Sequence, residues 1–454
     1  MTARYDSGDV SPEPLAQPLQ FLSSGRTAKN RFCKSPMGEV LATWNPKNFS
    51  EGGVPTKQLI DLYRRWGEGK DSWGIIVTGN IATQWDSPNA PGDMLIGPDA
   101  QAQGERFERF KDLAAGAKAN GSLIIGQISH PGRQVLAKIN PVAVSASDVQ
   151  LAPNKGMSYG KPHAATKEEI AHLVEGFAHA AEYLEKAGFD GIELHGAHGY
   201  LISQFLSRST NLRTDEYGIQ NTENRLRFLT EIVIAIKARV TPGFIISAKL
   251  NSVEFQEGGV TPDEAREVCE TLETLGLDFV ELSGGTYENN GMRWEKESSK
   301  IREAFFIEFA ETVIKALGDD RKLKVYIAGG LRSVGAMVNA LKVVDGVTLG
   351  RPAAAEPRLS SDILQGRVRG ALKPIEPFES EFGMGSLVAM TQISQTANGK
   401  EPLRSGDPVT MVKFREDLGK WFQAIMADGN KMEVVGGVKF TGPETPYGEV
   451  VAQA

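Results

Sequence analysis

Along the chain, short runs of β-branched and large apolar residues alternate with longer stretches whose apolar positions recur every three or four residues. The short runs are "RFCKSP" (31–36), "GIIVTG" (74–79), "SLIIGQIS" (122–129) and "FDGIELH" (189–195), then "GFIISAKLN" (243–251), "LDFVELSGG" (277–285), "KVYIAGG" (324–330) and "DGVTLG" (345–350). The stretches between them carry helix signals. Thr166 and Glu169 have the spacing of a capping box, and Gly188 ends that helix. Thr261 is placed as an N-cap, Pro262 as the first helical residue and Gly276 as the stop. Eight strands alternating with helices require a parallel sheet, because parallel neighbours need crossover helices. The pattern therefore predicts an α/β fold, a (β/α)8 TIM barrel. The competing doubly wound sheet would offer Gly-x-Gly-x-x-Gly after its first strand, and none follows "RFCKSP".

The same rhythm sets the boundaries. Residues 1–28, with Pro12, Pro14 and Pro18, read as an irregular lead-in that plugs the barrel base. The barrel occupies 29–373, with a long insertion at 130–165 after the third strand. Residues 286–299, "TYENNGMRWEKESS", read as a polar lid loop. From 374 to 454 the rhythm stops, leaving an extension with weak helical patterns at 385–395 and 411–428.

Composition narrows the class. The 454 residues are 41% hydrophobic and 24% charged, ordinary for a globular protein with a large core. A net charge of −7 argues against nucleic-acid or anionic-membrane partners, which need a basic face. The two cysteines, Cys33 and Cys269, exclude a disulfide scaffold, a four-cysteine zinc site and a cysteine-ligated iron–sulfur cluster. No apolar run reaches the roughly 20 residues of a membrane span, and the start has no apolar signal core. A cytoplasmic enzyme is expected, monomer or homo-oligomer undecided.

Chemistry in such barrels is built at the carboxyl ends of the strands. There the sequence places Ser35-Pro36-Met37-Gly38, Gly79, Gln127 with His130, His195, Lys249, Ser283-Gly284-Gly285, Gly329-Gly330 and Gly350-Arg351. Strands seven and eight form the usual phosphate corner, where glycines admit backbone N–H groups and Arg351 adds a charged fork. Gln127 suits an imide-like edge, Lys249 a developing negative charge, and Gly79 with Pro36-Met37 a flat ring. Together these describe a flavin mononucleotide site. The plainer alternatives are loop-turn glycines, a satisfied interior amide at Gln127 and a barrel ion pair at Lys249.

"HGAHGY" (195–200) follows the fourth run directly. Period-two alternation puts Glu193 and His195 on one side of that strand and Ile192 and Leu194 on the other. As a zinc site the group is incomplete, since only His130 is an evident third ligand; a satisfied polar core is the duller alternative. The favoured reading is hydrogen-bond catalysis. His195 and His198 would hold an oxygen as it becomes enolate-like, while the Tyr200 phenol, protonated at neutral pH, protonates the adjacent carbon.

"FDGIELHGAHGYLISQFLSRSTNLRTDEYG…NTENRLRF" (189–228), "NRFCKSPM" (30–37), "GQISHPGRQ" (126–134), "FVELSGG" (279–285) and the two late glycine turns resemble the Old Yellow Enzyme family. The similarity covers about residues 18–372. It implies non-covalent FMN, NADPH or NADH as reductant, and an electron-poor small-molecule alkene as substrate. It further implies that His195 and His198 bind the carbonyl oxygen and that Tyr200 donates the proton. Ser35, Pro36, Met37, Gly38, Gly79 and Gln127 match ring contacts, Lys249 the cation near flavin N1, and Gly329, Gly330, Gly350 and Arg351 phosphate contacts; no metal is implied. Lys249 stands where the family usually has arginine, Gly38 where relatives carry Cys or Thr, and Val40 where some subclasses have tyrosine. "HPGRQ" resembles the larger dienoyl-CoA reductase branch, whose iron–sulfur cluster and second nucleotide domain the cysteines and length here do not supply. The competing functions are an FMN barrel acting as a biosynthetic dehydrogenase, isomerase or electron donor, and a metal-dependent hydrolase.

Overall fold

The computed structural model describes residues 3–153, 157–251, 259–283 and 299–449. Each of the eight apolar runs is a strand: β1 (Phe32–Lys34), β2 (Ile75–Ala82), β3 (Leu123–Ser129), β4 (Gly191–Gly196), β5 (Ile245–Asn251), β6 (Phe279–Ser283), β7 (Lys324–Ala328) and β8 (Gly346–Leu349). Neighbours pair in chain order, all parallel, and β8 pairs with β1 to shut the ring. The (β/α)8 barrel expected from the pattern is the fold that forms. Gly284, Gly285 and the 286–298 part of the expected lid lie outside the described residues; Ser299 opens the helix Ser299–Leu317.

The connecting helices start where local chemistry places them. Thr166 accepts from Glu169 N–H while the Glu169 carboxylate accepts from Thr166 N–H, closing the box before Lys167–Lys186. Thr261 and Glu264 repeat this before Pro262–Thr274, with proline at the position where its missing N–H costs nothing.

Alternation along the strands separates two cores. Ile192 and Leu194 face outward into the layer shared with the helices. Cys33, Ile75, Val77, Leu123, Ile125, Ile245, Phe279 and Tyr326 face inward and form a separate cluster near the amino ends of the strands. The lead-in joins that inner cluster. Leu19–Gln20 pairs antiparallel with Thr27–Ala28, and the connecting turn inserts Phe21, whose ring centroid lies 5.6 Å from that of Phe279. The barrel base is thereby filled with hydrocarbon.

After the barrel come two helices, Phe382–Ala397 and Pro408–Asp428, each beginning three residues before its expected pattern. Asp407 caps the second by accepting from Thr410 N–H at 2.8 Å, a signal present in the sequence. They enclose a small core of Phe378, Val388, Leu403, Met411, Phe414, Leu418, Val438 and Phe440. The extension is locked to the barrel wall: Arg65 donates to the Thr396 carbonyl, Arg358 pairs with Glu401 at 2.8 Å, and both guanidinium groups lie over the Tyr447 ring.

Because Phe21 is fully buried, replacing it by alanine opens a cavity that the closed strand ring cannot fill. Phe21→Ala is expected to cost about 3–5 kcal/mol, read as a lower urea midpoint at unchanged slope.

Candidate active site

In-register parallel pairing stacks the inward side chains in layers, so the polar layer follows from the strand register. Above the apolar plug, Gln127 pairs across to Glu193, and Lys249 sits between His195 and Glu281 on adjacent strands. Gln127 Nε2 donates to Glu193 Oε1 at 2.8 Å. Lys249 Nζ donates to the Glu281 carboxylate and to Ser35 Oγ at 3.3 Å, while Ser35 Oγ donates to Glu281 Oε1 at 3.0 Å. Both plainer alternatives for Gln127 and Lys249 are therefore partly realised: each has an interior carboxylate partner. Two buried carboxylates around one ammonium leave an excess negative charge. Burial, and then the charge of Glu281, push Glu193 up to about 8, so it is protonated at neutral pH.

The His-x-x-His-x-Tyr group lies directly above. His195 ends the inward row of β4, and Ala197 N–H donates to its Nδ1 at 3.4 Å, a contact that assigns the ring proton to Nε2. His198 takes a left-handed backbone conformation, φ +57°, of the kind that costs about 1–3 kcal/mol unless its surroundings enforce it. Asn251 Oδ1 accepts from His198 N–H at 3.1 Å, and Ser283 Oγ lies 3.1 Å from His198 Nε2. Tyr200 directly precedes the short helix Leu201–Leu206 and stacks on His195, with centroids 3.9 Å apart and planes 17° from parallel. Burial, reinforced by neighbouring positive charge, lowers His198 to about 3 and His195 well below its usual range. Both imidazoles are neutral hydrogen-bonding groups.

One mouth residue was not singled out from the sequence. β2 carries an irregularity between Val77, opposite Ile125, and Asn80, opposite Gln127. Such a bulge re-aims the residue that follows it. Here it brings Asn80 Nδ2 to 3.2 Å from the Tyr200 hydroxyl. Thr78 Oγ1 accepts from Gln127 N–H at 2.9 Å, and Glu39 Oε1 accepts from Gly79 N–H at 2.8 Å and from the Tyr63 hydroxyl. A methyl group on Gly79 would come within 2.1 Å of Glu39 Oε2 and 2.4 Å of the Met37 carbonyl, so the loop after β1 itself demands glycine there. Lys34, fully buried behind that loop, donates to the Val77 carbonyl at 2.9 Å and lies 4.0 Å above the Trp66 ring; burial lowers it to about 8.

The remaining strand ends meet on the β7–β8–β1 side. Ser35 N–H donates to the Leu349 carbonyl, and a methyl group on Gly350 would lie 3.7 Å from Ser35 Cβ and from Met37 Sδ. Gly329 and Gly330 turn with φ +123° and +73°, which brings bare backbone to the mouth. The Arg351 guanidinium turns onto the extension, donating to the Glu379 carbonyl at 3.4 Å beside Phe382. His130, the third zinc ligand considered above, accepts from Gly132 N–H through Nδ1 at 3.0 Å. Among the described residues no group of three His, Cys, Asp or Glu side chains is arranged to hold a metal. FMN fits what is present: Lys249 commits two of its three ammonium protons, and buried Asn80 Oδ1 and Ser129 Oγ accept no protein bond.

A carboxyl raised from 4.5 to about 8 stabilises the fold fully below pH 4.5 and loses that contribution as pH rises through 8. The apoprotein's urea midpoint should therefore fall between pH 5 and pH 8, and fall less in Glu193→Gln. Parallel declines would mean that Glu193 does not carry the proton.

The fold and this geometry agree with the molecule's relatives. Residues 14–369 match the model of the NADH:flavin oxidoreductase / NADH oxidase family. The chain is 47% identical over 408 residues to the NADH-dependent flavin oxidoreductase nadA of Aspergillus parasiticus, covering 89% of this chain and 90% of that one. Among solved structures, a 2-naphthoyl-CoA reductase complex superposes with a TM-score of 0.67 at 26% identity, over 78% of this chain and 52% of that one. An Old Yellow Enzyme homologue from Zymomonas mobilis superposes with a TM-score of 0.64 at 24% identity, over 79% of this chain and 94% of that one, a likeness of fold. The chain belongs to the NADH:flavin oxidoreductase / NADH oxidase family, the FMN-dependent oxidoreductases of the Old Yellow Enzyme type.

Proposed function

We propose that the enzyme reduces the activated C=C bond of α,β-unsaturated carbonyl or nitro compounds at the expense of NADH or NADPH. The observation that carries this reading is the stack of Tyr200 on a neutral His195, with neutral His198 alongside. Neutral N–H donors hold a carbonyl or nitro oxygen and stabilise the charge that develops on it, without giving up a proton themselves. In this reading Ser35, Pro36, Met37, Gly38, Gly79, Gln127 and Lys249 hold the flavin ring, and Gly329, Gly330, Gly350 and Arg351 its phosphate. When bound there, FMN would supply hydride chemistry, accepting hydride from NAD(P)H and donating it to the alkene.

The chain's own contribution is oxygen binding and proton delivery. His195 Nε2–H and the His198 ring engage the oxygen, which polarises the double bond and makes the β-carbon electrophilic. Tyr200 O–H gives its proton to the α-carbon. The Asn80 amide, donating to the phenol oxygen, stabilises the phenolate that remains until solvent reprotonates it. Lys249, tied to Glu281, provides compact positive charge in place of the family's arginine fork.

Anaerobic stopped-flow mixing with NADH and then 2-cyclohexenone separates the two half-reactions. Tyr200→Phe should slow reoxidation by enone about 10²- to 10⁴-fold, the range of general-acid contributions, and spare reduction by NADH. Equal losses in both halves would contradict the assignment.

Asn80→Ala should slow enone reoxidation about tenfold, the worth of one hydrogen bond to a charged oxygen. In a Tyr200→Phe background that penalty should vanish; if it persists, Asn80 acts elsewhere.

A further inference from the structure

Beyond the region matched by the family, residues 429–437 run from the end of the helix Pro408–Asp428 across the carboxyl-end loops of the barrel. Both ends of this strap are fixed. At one end Lys138 Nζ donates to the Gly429 carbonyl at 3.4 Å, Trp44 Nε1 donates to the Met432 carbonyl at 2.9 Å, and the Met432 side chain is buried with Val135, Ile139 and Ala143. At the other, Trp421 Nε1 donates to the Gly436 carbonyl at 3.2 Å and Thr391 Oγ1 to the Val438 carbonyl at 3.1 Å. Met432 takes φ +56°, a conformation a methionine holds only where surrounding contacts impose it.

Between the anchors, Val435 and Gly436 meet the loops after β1 and β2. A methyl group on Gly92 would come within 2.8 Å of the Val40 carbonyl and 2.9 Å of Val435 Cγ1, and one on Gly436 within 3.8 Å of the same carbonyl. Val40 directly follows Glu39, whose carboxylate holds the Gly79 N–H, and Gly79 precedes Asn80, the partner of the Tyr200 hydroxyl. The strap thus lies against the loops after β1 and β2, next along the chain to the residues that position Asn80. Val435 remains 37% exposed beside those loops, an apolar side chain left uncovered.

We infer that the strap is the outer wall of the substrate entrance and that Val435 is a specificity-determining residue, setting how large an apolar group the alkene can carry on the Tyr200 side. This rests on the ene-reductase reading, and it assigns the extension a role in selectivity within the same chain.

The test uses FMN-loaded full-length protein, with thermal melts to confirm that each variant folds. For Val435→Ala and Val435→Trp, kcat/KM is measured with 2-cyclohexenone and with a ring-substituted, bulkier cyclohexenone. The ratio of bulky to small substrate should rise several-fold in Val435→Ala and fall about tenfold in Val435→Trp, the scale on which apolar pockets discriminate. Binding of phenol and 4-tert-butylphenol, followed through the flavin spectrum, reads the wall without turnover. Their dissociation-constant ratio should shift in the same directions. If neither enone is turned over but the phenol ratio shifts, the ene-reductase reading fails and the wall stands. If both ratios stay within twofold of wild type in both variants, the wall assignment is overturned.

Discussion

Placing Lys249 and Glu281 side by side inside a closed ring of strands leaves two charges that water cannot reach, so each must be satisfied by what the register puts next to it. Ser35 bridges them from β1's end, and Glu193 joins by keeping its proton. An uncompensated carboxylate at that depth would cost several kcal/mol. Much of the mouth is arranged around this constraint. It neutralises the second acid, holds the ammonium upright with a proton to spare, and adds to the burial that keeps His195 and His198 uncharged.

A second constraint acts from the side. Glu39, buried against Tyr63 and near Lys34, grips the backbone of the β2 bulge, and the bulge turns Asn80 toward Tyr200. The resemblance supplies the expectation that Gly79 is a flavin-ring contact. The geometry adds an independent reason for glycine, since the carboxylate and the Met37 carbonyl already occupy the space of a side chain. The positions at which the resemblance led one to expect other residues, 38, 40 and 249, fall on these two networks: Gly38 and Val40 flank Glu39, and Lys249 is bound to Glu281.

What the sequence discloses follows from how local each cause is. The eight strands and the caps at Thr166 and Thr261 depend on a few adjacent residues, and they were legible. His195, His198 and Tyr200 were legible because a single short motif carries them. Asn80 was not, because its orientation depends on one extra residue of pairing between β2 and β3, which no periodicity displays. Glu193 was visible as sharing the His195 side of its strand, Glu281 was not singled out, and their coupling to Lys249 and Gln127 requires the register across four strands. Arg351 was read as a phosphate contact; its bond to the Glu379 carbonyl of the extension is an added partner that the barrel rhythm does not foretell.

The hydrocarbon stopper at the base, with Phe21 against Phe279, has a kinetic meaning. A barrel sealed at one end is a cul-de-sac, and whatever enters by the mouth must leave by it. On the ene-reductase reading, reductant and alkene would both have to come and go by that one opening.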